Sequence, residues 1–433
     1  MVLASFTSSS DLFYHLWQTV LPDYITNTLI LGVLVVCLSL VFGVLAAAFI
    51  VHTDVLGKKL LRWLLLLPLA MPAYLVAYLY TDMFDYAGPI QRTLRDWFGW
   101  QSPHDYWFFD IRTLPGAALV ISLVLFPYTY MLTRTAFEHQ DQNLLRAGRL
   151  LGLSAKQSFF KVALPLARPA IAVAVSLVLM ETLADFATVN YFSVNTLTTA
   201  IYDTWLGYGN LATANALASL LMLIILFVVV AEQRARAGKS HQSSRPNQHI
   251  EIIKLTLVQQ LFVCGFCWLL VLAGFLLPFT LLIIMAIEYS DIAQLIKLIS
   301  PSMNSVKVSF YAATIATCLA LLFGLYRRLS IDKWRLLPTT FAGFGYAVPG
   351  TVLAMALLAT FGPLDYFIND VAEYFQFKEP GLVLSGTIFA IVFAFVVRFA
   401  AIANGTVSSG IEQIPRSLDL APASLGSGLG KML

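Results

Sequence analysis

Nine stretches of the chain are long, apolar and nearly free of charge, at about 26–51, 60–84, 113–136, 165–190, 212–231, 259–288, 304–326, 336–361 and 382–404. Each, as a helix, is long enough to cross a hydrocarbon layer of ~30 Å. Lipid offers no partner to backbone N–H and C=O groups, so a spanning segment satisfies them within itself. The runs are continuous rather than alternating, which argues against a β-barrel. Only 12% of the residues are charged, against ~25% in soluble domains. The expected fold class is therefore an all-α polytopic membrane protein. Residues 1–25 are mixed polar and aromatic, with no basic segment ahead of an apolar one, and no cleavable signal is expected there.

The most polar stretch between two such runs is 141–169, DQNLLRAGRLLGLSAKQSFFKVALPLARP. Arg146, Arg149, Lys156, Lys161 and Arg168 make it basic, and Leu144, Leu145, Leu151, Val162 and Leu164 give it an apolar side. Gly152 suits a turn between two short amphipathic helices, with Pro165 and Pro169 near the start of the next run. Placing this loop in the cytoplasm and alternating sides puts twenty of the 27 lysines and arginines on that side and six on the other, with Arg398 inside the last run. That asymmetry supports the orientation. Residues 232–257 are rich in Ser, Gln, Asn and scattered bases and read as a cytoplasmic linker.

The linker divides the chain into halves, 1–231 and 258–433, that repeat each other. Asn27-Thr28-Leu29 matches Asn304-Ser305-Val306, and Met71-Pro72-Ala73 matches Val348-Pro349-Gly350, both 277 residues apart. Phe137-Glu138 matches Ile411-Glu412, and Ala147 and Gly152 match Ala421 and Gly426, all 274 apart. A second loop of the 141–169 type thus begins near 412. Five of the nine runs fall in the first half and four in the second. The mismatch leads to the expectation of a chain shortened at both ends, by one helix before Asn27 and two after Leu433.

The pattern Arg146-Ala147-Gly148, Gly152, then Val162-Ala163-Leu164-Pro165 resembles the EAA loop of ABC-importer permeases, with Arg146 where that family usually carries Glu. The resemblance implies a type I ABC importer transmembrane fold and a coupling helix that docks on an ATPase. Two cytoplasmic ABC ATPase subunits, a periplasmic or lipid-anchored substrate-binding protein and membrane lipid are the implied partners. Residues 180–202, METLADFATVNYFSVNTLTTAIY, resemble a segment of bacterial ferric-iron importer permeases, with Ala187, Ser193 and Ala200 in place of glycines. So does 64–91, whose repeat partner is 344–358. Resemblance covers nearly the whole chain and implies ferric iron as cargo. Thiamine or phosphonate permeases, and an ion-coupled secondary transporter, are the alternatives.

Carboxylates inside a membrane are costly unless paired or hydrated, so they mark pathways by default. Glu181 and Asp185, four apart on an expected helix face, are the candidate substrate path, together with Tyr74 and Tyr78 near the outer end of a run that also holds Tyr80, Asp82 and Asp85. Pro72 and Pro349 are expected mid-helix. Oxygen donors suit a hard cation, but no stable metal site and no cofactor are read. Gly238-Lys239-Ser240 and Gly430-Lys431 lack the first glycine of a phosphate loop, and no strand precedes either. No nucleotide or nucleic-acid site and no catalytic constellation is indicated. Cys264 and Cys267 lack the second pair a metal site would need.

Overall fold

The structure, a computed structural model, describes residues 10–140, 142–236, 252–289, 291–329, 334 and 337–412. The chain forms two compact units, 1–290 and 291–433. The first unit begins with α1 (Ser10–Thr19), α2 (Leu21–His52), α3 (Lys58–Leu64), α4 (Ala73–Phe84), α5 (Pro89–Phe98) and α6 (Leu114–Glu138). It continues through α7 (Gln142–Leu150), α8 (Ala155–Ser158), α9 (Arg168–Ala184), α10 (Ala187–Tyr191), α11 (Leu197–Tyr202) and α12 (Leu211–Arg236). After the linker come α13 (Leu257–Val271) and α14 (Leu277–Tyr289). The second unit holds α15 (Ile292–Leu329), α16 (Leu337–Phe344), α17 (Gly350–Tyr374) and α18 (Ile388–Glu412). Among the described residues, eight helices or helical paths are long and apolar enough to cross a membrane, or nine if one bent pair counts as a span. That meets the nine runs read from the sequence.

Between helices in lipid, close packing replaces the hydrophobic drive that water supplies. α2 and α6 pack this way. A side-chain carbon added at Gly43 would lie 2.6 Å from Thr129 Cβ and 2.7 Å from the Tyr130 amide nitrogen, so only glycine fits. Ala46, Ala47 and Ser39 on α2 are fully buried, as are Phe126 and Tyr130 on α6.

Three expectations need correction. The run 60–84 is not one helix. Lys58–Ala70 and Ala73–Phe98 meet at an 88° bend, and Pro72 caps the start of α4 instead of sitting mid-helix. Proline has no N–H to donate and drives the residue before it out of the α region; Met71 is extended, at φ −96° and ψ 123°. The run 336–361 breaks the same way, with Pro349 capping α17. The run 165–190 is the third. Its helical path begins earlier, in α8, passes through a π turn at Phe159–Ala163, and ends at Ala184, where Asp185 turns extended at ψ 122°. Pro165 therefore lies inside the path. It has no amide for the Lys161 carbonyl, and the π turn spans that gap.

The repeat survives in the structure. α4 and α17 start 277 residues apart, each just after a proline and a 3-10 turn, and α6 and α18 start 274 apart. The unit boundary, however, lies at residue 290, one membrane-length helix later than the linker. Just past the linker, Ile253 forms a parallel bridge with Thr53, its N–H bonds the His52 carbonyl at 2.8 Å, and the Leu255 N–H bonds Asp54 Oδ1 at 2.9 Å. The path 257–289 then packs on the rest of the first unit. The Tyr80 hydroxyl donates to the Ala273 carbonyl at 2.6 Å, and Gly274 abuts Pro68 and the Leu123 carbonyl.

Within the second unit, Ala312 on α15 packs against Val392 and Val396 on α18. The Asp365 carboxylate accepts from the N–H groups of Val383, Leu384 and Ser385 and from the Ser385 hydroxyl, at 2.6–3.1 Å. It thereby ties the α17–α18 connection down.

Candidate functional site

The basic loop folds as two helical segments around a glycine, as its sequence leads one to expect. α7 ends in a paired turn: the Gly152 N–H bonds the Arg149 carbonyl at 2.9 Å, and the Leu153 N–H bonds the Gly148 carbonyl at 3.1 Å. This is the Schellman arrangement, which needs a left-handed residue at its centre; Gly152 has φ +87°. Ser154 and Gln157 then form a reciprocal cap for α8, each side chain accepting the other's N–H at 3.3 and 3.0 Å. Gly148 is buried. A side-chain carbon there would meet Leu153 Cδ1 at 3.3 Å and Val162 Cγ2 at 3.7 Å, so the turn closes upon the start of the spanning path.

Several groups anchor this turn. The Gln140 amide donates to the Ala163 carbonyl at 2.8 Å. His52, Phe137 and Phe159 pack ring to ring at 5.2–6.3 Å, joining the ends of α2 and α6 to the π turn. Glu138 pairs with Arg62 at 3.0 Å and Arg134 at 3.6 Å. What the turn presents outward is apolar: Leu150 is 89% and Leu151 86% exposed. Arg146, Lys156 and Lys161 are exposed around them, while Val162, Leu164 and Pro165 are half-buried. The side chain of Ala147 lies outside the described part, and so do Ala421, Gly426 and the loop from 413 onward. Sequence reasoning passed over Leu150, Phe160 and His52. The pair Leu150-Leu151 directly before a glycine, at the end of a basic helix, was the signal for the first.

The candidate path residues separate. Asp185 does not continue the α9 face with Glu181. It ends the helix, and its Oδ1 accepts the Thr188 N–H at 2.8 Å, while its carbonyl accepts the Thr198 hydroxyl at 2.8 Å. Asp185 is thus a cap that fixes the entry to α10. Glu181 is half-buried on the last turn of α9. Tyr78 packs on Tyr191 at 5.9 Å, and Tyr74 is exposed. Asp85 is paired with Arg112 at 3.0 Å. Among the described residues no group of three or more His, Cys, Asp or Glu is placed to hold a metal.

Membrane-length helices, with a capped basic turn that exposes two leucines, fit a class: the membrane-spanning component of a transport system. The chain belongs to the family described as binding-protein-dependent transport system inner membrane component, whose profile matches residues 6–236. It is an ABC-importer permease, a multi-pass inner-membrane transport subunit, and the secondary-transporter alternative falls. It is 23% identical to the Fe(3+)-transport system permease protein FbpB 2 of Haemophilus influenzae, over 95% of this chain and 74% of that one. It is 25% identical to the ferric transport system permease protein FbpB of Actinobacillus pleuropneumoniae, over 96% of this chain and 60% of that one. The molybdenum transport system permease protein ModB of Escherichia coli is 31% identical over 52% of this chain and 95% of its own.

Proposed function

We propose that this permease carries ferric iron inward, driven by ATP hydrolysed on two cytoplasmic partner subunits and supplied by a periplasmic or lipid-anchored binding protein. The exposed Leu150-Leu151 tip is the observation that carries the coupling half of this reading. It is capped on both sides and apolar, and a protein cleft removes such a tip from water. Arg146 beside it calls for an acidic rim on the ATPase. The cargo half is supported by the ferric-transport relatives, which match through both repeats, whereas the molybdenum relative matches about one. In this reading 1–231 and 258–433 are the two permease halves, joined by 232–257. A second ATPase docks at the loop that begins near 412 and contains Ala421 and Gly426. Glu181, with Tyr74 and Tyr78, borders the path as a weak cation station, since a tight one would trap its ion.

The test uses the full chain with its ATPase and binding protein in vesicles. Changing Leu150 and Leu151 together to Glu should abolish ATP hydrolysis stimulated by loaded binding protein while leaving permease level unchanged. Normal stimulation would refute the coupling role. Uptake of labelled ferric ion, molybdate, thiamine and phosphonate, run side by side, decides the cargo; transport of any but iron would overturn that half alone.

A further inference from the structure

The last residues of the segment that joins the halves have work to do at the end of α2. A helix leaves its final carbonyls without donors of its own, and here they are met from further along the chain. The Lys58 ammonium donates to the Val51 and Thr53 carbonyls at 3.2 and 3.0 Å. The His52 carbonyl, between them, takes the Ile253 N–H at 2.8 Å, and the Asp54 N–H reaches the Ile253 carbonyl at 3.3 Å. Asp54 Oδ1 accepts the Leu255 N–H at 2.9 Å. The Leu255 side chain packs against the apolar cluster that holds Val51, Phe137 and Ala163. Thr256 and Gln259 then form the reciprocal cap that starts α13. Residues 252–255 thus bind the end of α2 to the start of path 257–289.

The same end of α2 carries the His52 ring, which packs on Phe137 at 5.2 Å and on Phe159 at 6.3 Å. Among the described residues its Nε2 is buried with no hydrogen-bond partner. The ring therefore acts through its faces, as a spacer between helix ends. Phe159 opens the π turn, and Val162 within that turn lies against Gly148. A continuous set of contacts runs from 252–255 through His52 and Phe159 to the turn at 149–153. Packed rings and paired backbone groups are the kind of contact that carries a displacement between sites.

We propose that 252–255 is a strap that sets the position of the 149–153 turn by way of His52, which makes Asp54 and His52 positioning residues for the coupling of ATP hydrolysis to transport. This rests on the reading of that turn as an ATPase contact. The start of path 257–289 and the turn then move as one piece during the transport cycle.

The test uses the full chain with its ATPase and binding protein in vesicles. It compares D54A, which removes the acceptor of the Leu255 N–H, with D54N, which keeps an oxygen there. Hydrogen–deuterium exchange read by mass spectrometry follows residues 149–160, with 196–204 of the same unit as control. D54A should speed exchange at 149–160 several-fold and leave 196–204 as in native protein, and D54N should match native protein at both. Unchanged exchange at 149–160 would overturn the proposal. So would faster exchange in both segments, which would make Asp54 a general tie of the fold. ATP hydrolysis stimulated by loaded binding protein should fall several-fold in D54A and in H52A, and stay near native in D54N and in H52F, which keeps a ring. Residues that act in series are not additive, so D54A combined with H52A should do no more than H52A alone. Summed losses would overturn the route through His52. Faster exchange at the turn with unchanged stimulation would remove the ATPase reading of the turn, and the proposal with it; the Leu150 and Leu151 variant would then hydrolyse normally too.

Discussion

Alanine at Gly274 puts the packing of the helix after the linker to a direct test. The added carbon would lie 2.8 Å from Pro68 Cγ and 2.9 Å from the Leu123 carbonyl oxygen. Carbon contacts settle near ~3.5–4.0 Å, so the methyl is short of room by about 0.7 Å. One neighbour is a proline ring and the other is backbone, and neither turns aside by changing a rotamer. Over-packing of this kind costs ~1–3 kcal/mol. Gly265, on the same path, has nothing within 4 Å of the equivalent carbon. Alanine there only removes glycine from a helix interior, a gain of ~0.5–1 kcal/mol. The two single-methyl variants should therefore differ by roughly 1.5–4 kcal/mol, and their Tm values by several degrees. Thermal unfolding of G274A and G265A in the same detergent measures this, with P68A added to G274A as a partial rescue. Equal Tm values for the two glycine variants would refute the contact between path 257–289 and the rest of the first unit.

Valine at Gly152, where φ is +87°, should cost ~1–2 kcal/mol and uncouple ATP hydrolysis, whereas asparagine, which tolerates that conformation, should retain coupling; ATPase assays of the reconstituted complex compare them. Asp185→Ala should cost ~0.5–2 kcal/mol through the lost cap on Thr188, and Asp185→Asn should keep both stability and iron uptake. Glu181→Gln should lower uptake at unchanged protein level, measured with labelled iron at limiting concentration. Asp365→Ala leaves three backbone N–H groups without their acceptor and should cost about 1–3 kcal/mol, seen as faster protease cleavage within 375–387.

Much of this architecture can be read from spacing alone. Proline and glycine positions recur at 277 and 274 because they punctuate helices, and the starts of α4, α17, α6 and α18 follow them. The turn at 149–153 was legible for the same reason, since Gly152 meets a backbone demand that few residues meet. Directions were not. The run 60–84 is apolar on both sides of Pro72, and hydropathy has no sign for an 88° bend. The end of α9 was hidden too, because Asp185 within an apolar stretch looks the same whether it faces a path or accepts the Thr188 N–H. Nor does composition say which unit a greasy helix joins. Gly274 reads as an ordinary small residue until Pro68 and Leu123 are set against it.

The bridge between Ile253 and Thr53 changes what the connecting segment is. α12 ends at Arg236 within the first unit, and Ile253 is bonded to that same unit, so residues 237–251 join two points of one body. Both ends of the connection are thus held by one unit, and lengthening a connection between fixed ends acts through ring closure, whose entropy grows slowly with length. Doubling that length costs only ~0.6 kcal/mol. An affinity tag inserted between Arg236 and Ile253 should therefore leave the order and partners of the described helices as they were.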